Sequence, residues 1–202
     1  PGLLAVAAVA CARRMLPSTT CGLVISGLDA LWDAALHDNE NGSISFPNRH
    51  GGTKTSRLAW CYGGLGIAAT FRNGIAIDPT NIERLEKICR SSLSQYKAGT
   101  HGIQDASLCH GYAGVALSFS YLAQVEWLDD ELAVSLRNAA LDACTATLDS
   151  EIRDKDEIIF MHAGRQGMTP SKTFLEGGSG VALSLSAVFS ERPAWMNLLG
   201  YY

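Results

Sequence analysis

One short pattern recurs along the chain and limits what it can fold into: G-x-x-G, then Val or Ile, then Ala. It stands at Gly63-Gly64-Leu65-Gly66-Ile67-Ala68, at Gly111-Tyr112-Ala113-Gly114-Val115-Ala116 and at Gly177-Gly178-Ser179-Gly180-Val181-Ala182. Pro1-Gly2-Leu3-Leu4-Ala5 reads as the tail of a fourth copy. Each copy opens an apolar run with helical character, such as Val115 to Val125 or Val181 to Phe189. Glycines at a helix start permit a tight turn and a close approach to neighbouring backbone. Like units recurring at intervals of tens of residues imply an array.

Amphipathic helices are expected between the apolar ones. Asp78-Pro79 supplies an N-cap and a first helical proline, with Ile82, Leu85, Ile88 and Cys89 following on one face. Asp129, Asp130 and Glu131 place acid in the first turn of another, which Leu132, Leu136, Ala139, Ala140 and Ala143 continue. Cys21 to His37 is a third, with Leu28, Leu31, Trp32 and Ala35 on its apolar side and His37 near its C-terminus. An array of helical hairpins explains this order: inner helices are apolar all round because they are covered on both sides, and outer ones are half exposed. Residues 39–59, 94–109 and 164–175 read as loops, with a short strand at Ser43 to Phe46. Two of these loops lead into glycine motifs carrying Cys or His, and long loops of that kind are often functional.

Composition removes several function classes. Net charge is -4, with no basic stripe, so a nucleic-acid partner is not expected. The apolar stretch Leu3 to Ala12 is too short to span a bilayer, and Arg13 and Arg14 follow it rather than precede it as in a secretory signal. No transmembrane segment is expected. Pro1 in place of Met suggests a chain that begins inside a longer protein or was cut. Of the six cysteines, Cys11, Cys89 and Cys144 lie in apolar or helical stretches and read as buried small hydrophobes. Free thiols or metal ligands are expected rather than three disulfides.

The remaining pattern carries chemistry. Trp60-Cys61-Tyr62-Gly63 and Leu108-Cys109-His110-Gly111 each set a cysteine just before the turn glycine. If the repeats stack, both thiols face one end and His110 adds an imidazole. Two thiolates and an imidazole suit zinc, and three protein ligands leave a fourth position open, as in catalytic sites. The competing reading is a pair of turn cysteines packed under helix starts. Spacing alone does not decide between them.

The motif set W-C-Y-G-x-x-G, L-C-H-G-x-A-G and L-E-G-x-x-G, here Trp60 to Gly66, Leu108 to Gly114 and Leu175 to Gly180, resembles the lanthionine synthetase C (LanC) family over essentially the whole chain. Pro193-Ala194-Trp195 with Leu198 and Leu199 resembles the family's C-terminal end. The resemblance implies an all-α fold, an α/α toroid of inner and outer helices, of which residues 1–202 would form about half of the ring. It implies one Zn2+ held by Cys61, Cys109 and His110. The implied reaction adds a peptide cysteine thiol to dehydroalanine or dehydrobutyrine in a ribosomally made precursor peptide. Arg57, four residues before Cys61, matches a family active-site arginine; outside that context it reads as a loop arginine in water. Trp60 and Tyr62 either line the peptide cleft or pack. Glu176 reads as a structural partner of its turn. His50, His101 and His162 read as exposed loop histidines.

The resemblance implies that the family's other catalytic groups, an aspartate and the histidine of an A-H-G-x-P-G motif, would belong to an N-terminal half expected before residue 1. Pro1-Gly2 resembles the end of that motif. The missing half, a dehydratase and an exporter are the implied partners besides the peptide. The implied location is cytoplasmic, with peripheral membrane association in a biosynthetic complex as an option. Two other roles stay open: a non-catalytic zinc-containing module that binds a peptide or a glutathione-type thiol, and the cyclase end of a bifunctional lanthipeptide synthetase.

Overall fold

The computed structural model describes residues 2–38, 40, 42–154, 157–164, 167–190 and 193–202. Pro1, at the front of the partial fourth copy, lies outside them. Four helices begin at the copies of the glycine motif: α1 (Gly2–Ala12), α3 (Gly64–Gly74), α5 (Tyr112–Leu122) and α7 (Gly178–Val188). They pack as a row, α1 on α3, α3 on α5 and α5 on α7. Three helices form a second layer: α2 (Ser18–Asp33) on α1, α4 (Asn81–Lys97) on α3 and α6 (Asp130–Asp149) on α5. The fold is all-α, with an inner and an outer layer of helices. No helix among the described residues is long and apolar enough to cross a membrane.

The burial pattern follows from the layering. In α5, which has α3, α7 and α6 around it, every residue from Ala113 to Phe119 is buried, and so are Tyr121 and Leu122. Such a helix has no polar face because it meets no water. Outer helix α4 buries Leu85, Ile88, Cys89, Leu93 and Tyr96 and turns Glu83, Lys87 and Arg90 outward. Exposed pairs such as Lys87–Glu83 at 2.7 Å are screened by water and contribute little. The ends of the inner row are less covered: Leu3 and Val6 on α1, and Leu183 on α7, are exposed.

The glycines are fixed by backbone, in a relation repeated three times. A Cβ on Gly66, Gly114 or Gly180 would collide with the carbonyl of the residue six positions earlier, Trp60, Leu108 or Phe174. The first turn glycines obey the same rule: Gly63 against Arg57, Gly111 against Asp105 and Gly177 against Ser171. Gly63 also adopts a φ of 111°, in the left-handed region. Each motif is therefore a loop folded tightly back on the start of its helix.

Several boundaries differ from the sequence expectation. Helix α4 begins at Asn81, because the Asp78 carboxylate accepts from the Thr80 N–H at 3.0 Å and the Thr80 hydroxyl at 2.8 Å and closes a turn of its own. Asp129 does cap α6, accepting from the Leu132 N–H at 2.8 Å. Helix α2 starts before Cys21 and stops at Asp33, so His37 falls in strand β1 (Leu36–His37), paired with β2 (Ile44–Ser45) inside the expected strand. Residues 94–97 belong to α4 rather than to a loop. Two hairpins carry no helical or strand period in the sequence: β3 (Ile152–Asp154) with β4 (Glu157–Ile159), and β5 (Met161–Gly164) with β6 (Gly167–Pro170). The last of these takes up part of the expected 164–175 loop.

The cysteine expectation is corrected at one pair. Cys11 and Cys21 form a disulfide, with Cα atoms 5.6 Å apart. The short link between α1 and α2 brings the end of one helix beside the start of the next. Cys89 and Cys144 are free and buried, as expected.

The C-terminal segment closes the inner layer. After a 3-10 turn at Ala194–Leu199, Tyr201 is fully buried and hydrogen-bonds to the Ser118 hydroxyl. Asn73 donates to the Gly200 carbonyl at 2.7 Å and Tyr121 to that of Tyr202 at 2.9 Å.

A Gly114→Ala substitution forces Leu108 and its turn apart. We expect it to cost about 3 kcal/mol in urea denaturation. Gly22→Ala, at a position of α2 with nothing within 4 Å of the added carbon, should instead gain about 1 kcal/mol. Equal effects would show that the glycine turns are not under this steric constraint.

Candidate metal centre

The three loop-to-helix turns are joined by backbone hydrogen bonds between equivalent positions. The Cys61 N–H donates to the Cys109 carbonyl at 3.3 Å, and the Cys109 N–H donates to the Leu175 carbonyl at 2.8 Å. Cys61, Cys109 and Leu175 are the same residue of successive copies. This stacking puts side chains distant in sequence at one end of the inner helices. The Cys61 and Cys109 sulfurs and a His110 ring nitrogen lie within 4.8 Å of one another. Tetrahedral coordination at about 2.3 Å per sulfur asks for donors roughly 3.8 Å apart, so this spacing fits an ion of that size. All three residues are half-buried, which leaves an approach from outside.

The thiols are already coupled without an ion. A hydrogen bond from Cys109 is the main influence that lowers the Cys61 pKa against the effect of burial, with help from backbone N–H groups and the Arg57 cation. The same contact, together with burial, raises Cys109. His110 is pushed up to about 9, first by its hydrogen bond to Asp105 and then by Cys109. Two neighbouring thiols beside an imidazole form a donor set that releases protons when it takes up a cation.

The residues around this triad fall on matching positions of the copies. Arg57, Asp105 and Ser171 each stand four residues before the Cys61, Cys109 and Leu175 positions. Tyr62, His110 and Glu176 each stand one residue after them. The Arg57 guanidinium carbon lies 5.8 Å from the centre of the Tyr62 ring. Both side chains line a cavity of about 480 Å³ with Lys54, Asn48 and Gln95. The buried Nη1 of Arg57 has no hydrogen-bond partner among the described residues. Trp60 is held differently: its indole N–H donates to the Leu199 carbonyl at 2.8 Å, and the ring packs against the main core.

Two histidines expected to be exposed are not. His162, on β5, is only 13% exposed. Its Nδ1 is 3.7 Å from the Asp105 carboxylate, its Nε2 is 3.5 Å from Glu176, and its ring centre is 5.2 Å from that of His110. The β5–β6 hairpin folds over the turns and brings it there. His101 stacks on Tyr96 at 5.3 Å and accepts from the Ile103 N–H, and burial lowers its pKa. His50 is exposed.

Sequence reasoning passed over Asp105, whose side chain is fully buried within 3.3 Å of His110. The signal was present, since Asp105 stands in the second copy where Arg57 stands in the first. Burial opposes its ionisation, but hydrogen bonds from His110, Ala163 and Ser107 outweigh that and hold its carboxyl well below the usual carboxylate range.

A family model described as lanthionine synthetase C-like protein matches residues 5–199. No curated protein matches the chain.

Metal-free protein should show a fixed order of thiol reactivity. At pH 8, iodoacetamide followed by peptide mapping is expected to label Cys61 first. Cys89, pushed up to about 12 by burial, and Cys144, pushed up to about 11 by burial, should stay unmodified in the folded state. Labelling of Cys89 before Cys61 would contradict the geometry of the pair.

Proposed function

Because the chain belongs to the lanthionine synthetase C-like family, we propose that it is the zinc-binding part of a thioether-forming cyclase acting on a dehydrated, ribosomally made precursor peptide. The observation that carries this reading is the convergence of Cys61, Cys109 and His110 within 4.8 Å at an accessible turn cluster. Two sulfurs and one nitrogen fit Zn2+ and leave its fourth position for substrate. When bound, zinc lowers the pKa of a substrate thiol from about 8.5 and holds it as a thiolate near neutral pH.

The chain's own groups do the rest. Cys61 and Cys109, each as a thiolate, and His110, through a ring nitrogen, would hold the ion. The thiolate sulfur of the peptide forms a bond to the β-carbon of dehydroalanine or dehydrobutyrine. The π electrons move to the neighbouring carbonyl as an enolate, and a proton is then added at the α-carbon. Arg57, whose cation lies near enough to Cys61 to help lower its pKa, is the group suited to hold the enolate oxygen. Tyr62, 36% exposed on the adjoining cavity, lines the peptide's path. Trp60 serves the site by packing beneath it.

The proton donor to the α-carbon is expected from the family's upstream histidine. The exposed flanks of α1 and α7 support a ring that the N-terminal half completes. A cytoplasmic location beside a dehydratase and an exporter fits this chemistry, since the peptide must be dehydrated before cyclisation. The chain could equally serve as the cyclase end of a bifunctional synthetase, and its site would be the same. The competing role is a zinc module that binds a peptide or thiol without catalysis.

Zinc content and cyclisation test these readings together. We expect one equivalent of zinc in the wild-type chain and its loss in Cys61→Ala. With the N-terminal half added, Arg57→Ala should keep the zinc and lower the cyclisation rate of a dehydrated peptide about 100-fold. Zinc binding with peptide affinity but no cyclisation, even with both halves present, would favour the binding module. A folded chain without zinc would sink the metal reading.

A further inference from the structure

We infer that Asp105 is the positioning residue of the centre: it holds His110 through Nε2 and so leaves Nδ1 as the nitrogen that meets the metal. The inference rests on the zinc reading above and adds a residue and an orientation to it.

Asp105 is built for a fixed hydrogen bond. Its side chain is fully buried. Oδ1 accepts from the Ser107 N–H at 2.8 Å, and Oδ2 accepts from the Ala163 N–H at 2.8 Å. Oδ2 also faces His110 Nε2 at 3.3 Å. Two backbone donors from different segments prevent the carboxylate from turning away. Its own carbonyl accepts from the Tyr112 N–H at 2.9 Å, which ties it to the start of α5. Gly111 makes room for it, since a Cβ there would overlap Oδ1.

An imidazole that donates one N–H to a carboxylate has its tautomer and ring plane set, and its other nitrogen offers a lone pair outward. Such carboxylate–histidine pairs raise the basicity of the ligating nitrogen, and their loss weakens metal binding about 10–100-fold. The equivalent positions of the other copies do not repeat this arrangement. Arg57 lies by Tyr62, and the Ser171 hydroxyl lies 3.0 Å from that of Thr173. Only the copy that carries a histidine after its cysteine carries a carboxylate four residues before it.

Asp105, His110 and His162 also place ligand atoms within 4.8 Å of one another. A second cation there would compete with the hydrogen bonds that Asp105 already accepts from Ser107 and Ala163. A second equivalent of zinc in the test would reveal such a cation.

The test uses the zinc-loaded, 15N-labelled chain. Long-range 1H–15N correlation is expected to show His110 protonated at Nε2 and metal-bound at Nδ1. Zinc affinity, measured by chelator competition, should fall about 10–100-fold in Asp105→Asn with stoichiometry still at one. Asp105→Glu should restore part of the loss. Ser171→Ala, at the matching position of the third copy, should change nothing. Zinc held through Nε2, an unchanged affinity in Asp105→Asn, or two equivalents of zinc in the wild type would each overturn the inference while leaving the zinc site standing. No zinc at all would overturn both. The wild-type spectrum needs no variant, so it decides the matter even if Asp105→Asn does not fold.

Discussion

Two backbone hydrogen bonds, Cys61 N–H to Cys109 carbonyl and Cys109 N–H to Leu175 carbonyl, hold the centre together. Each joins the same residue of successive copies, so the turns stack in register. Side chains at matching offsets then fall at matching places. That is how thiols from two separate turns come within reach of one ion, and how Arg57, Asp105, Tyr62 and His110 gather at the same end. The glycines serve this contact. Without a Cβ, each loop can press against its own helix start, which leaves its outer edge free to meet the next loop.

Much of this was legible in the sequence because a steric rule wrote it there. Backbone that passes within contact of a Cα admits only glycine, and the rule is visible wherever it recurs, at Gly66, Gly114 and Gly180. The apolar character of α5 was legible for the same kind of reason, since a helix covered on all faces needs no polar stripe. The positions of Cys61, Cys109 and His110 followed once stacking was assumed.

What escaped the sequence was what depends on contacts between copies or on short local competition. Nothing in the period of residues 152–170 marks two hairpins, so His162 read as an exposed loop residue although β5 carries it to Asp105. Asp78 and Pro79 make a good helix start in isolation. The carboxylate instead closes a turn with Thr80, and the helix waits until Asn81. Cys11 and Cys21 lie in helices that each read as ordinary packing, and only the angle of the hairpin between them makes a bond. Asp105 went unnoticed because the copies were not compared position by position, which alone sets it opposite Arg57. Together the two positions show one scaffold used with opposite charge: a cation beside the open cavity and an anion beside His110.

The hydrogen bond from Trp60 to the Leu199 carbonyl spans 139 residues. It joins the residue before Cys61 to the segment that seals the inner layer with Tyr201. Closing so long a loop is entropically costly until the helices between are in place. The helical hairpins can form one by one as the chain emerges from the ribosome, each from local contacts. The turn that carries Cys61 is not fixed by its own hairpin alone, because its brace lies near residue 199. The hairpins are local units, whereas the turn that carries Cys61 is braced from behind by residues near 199.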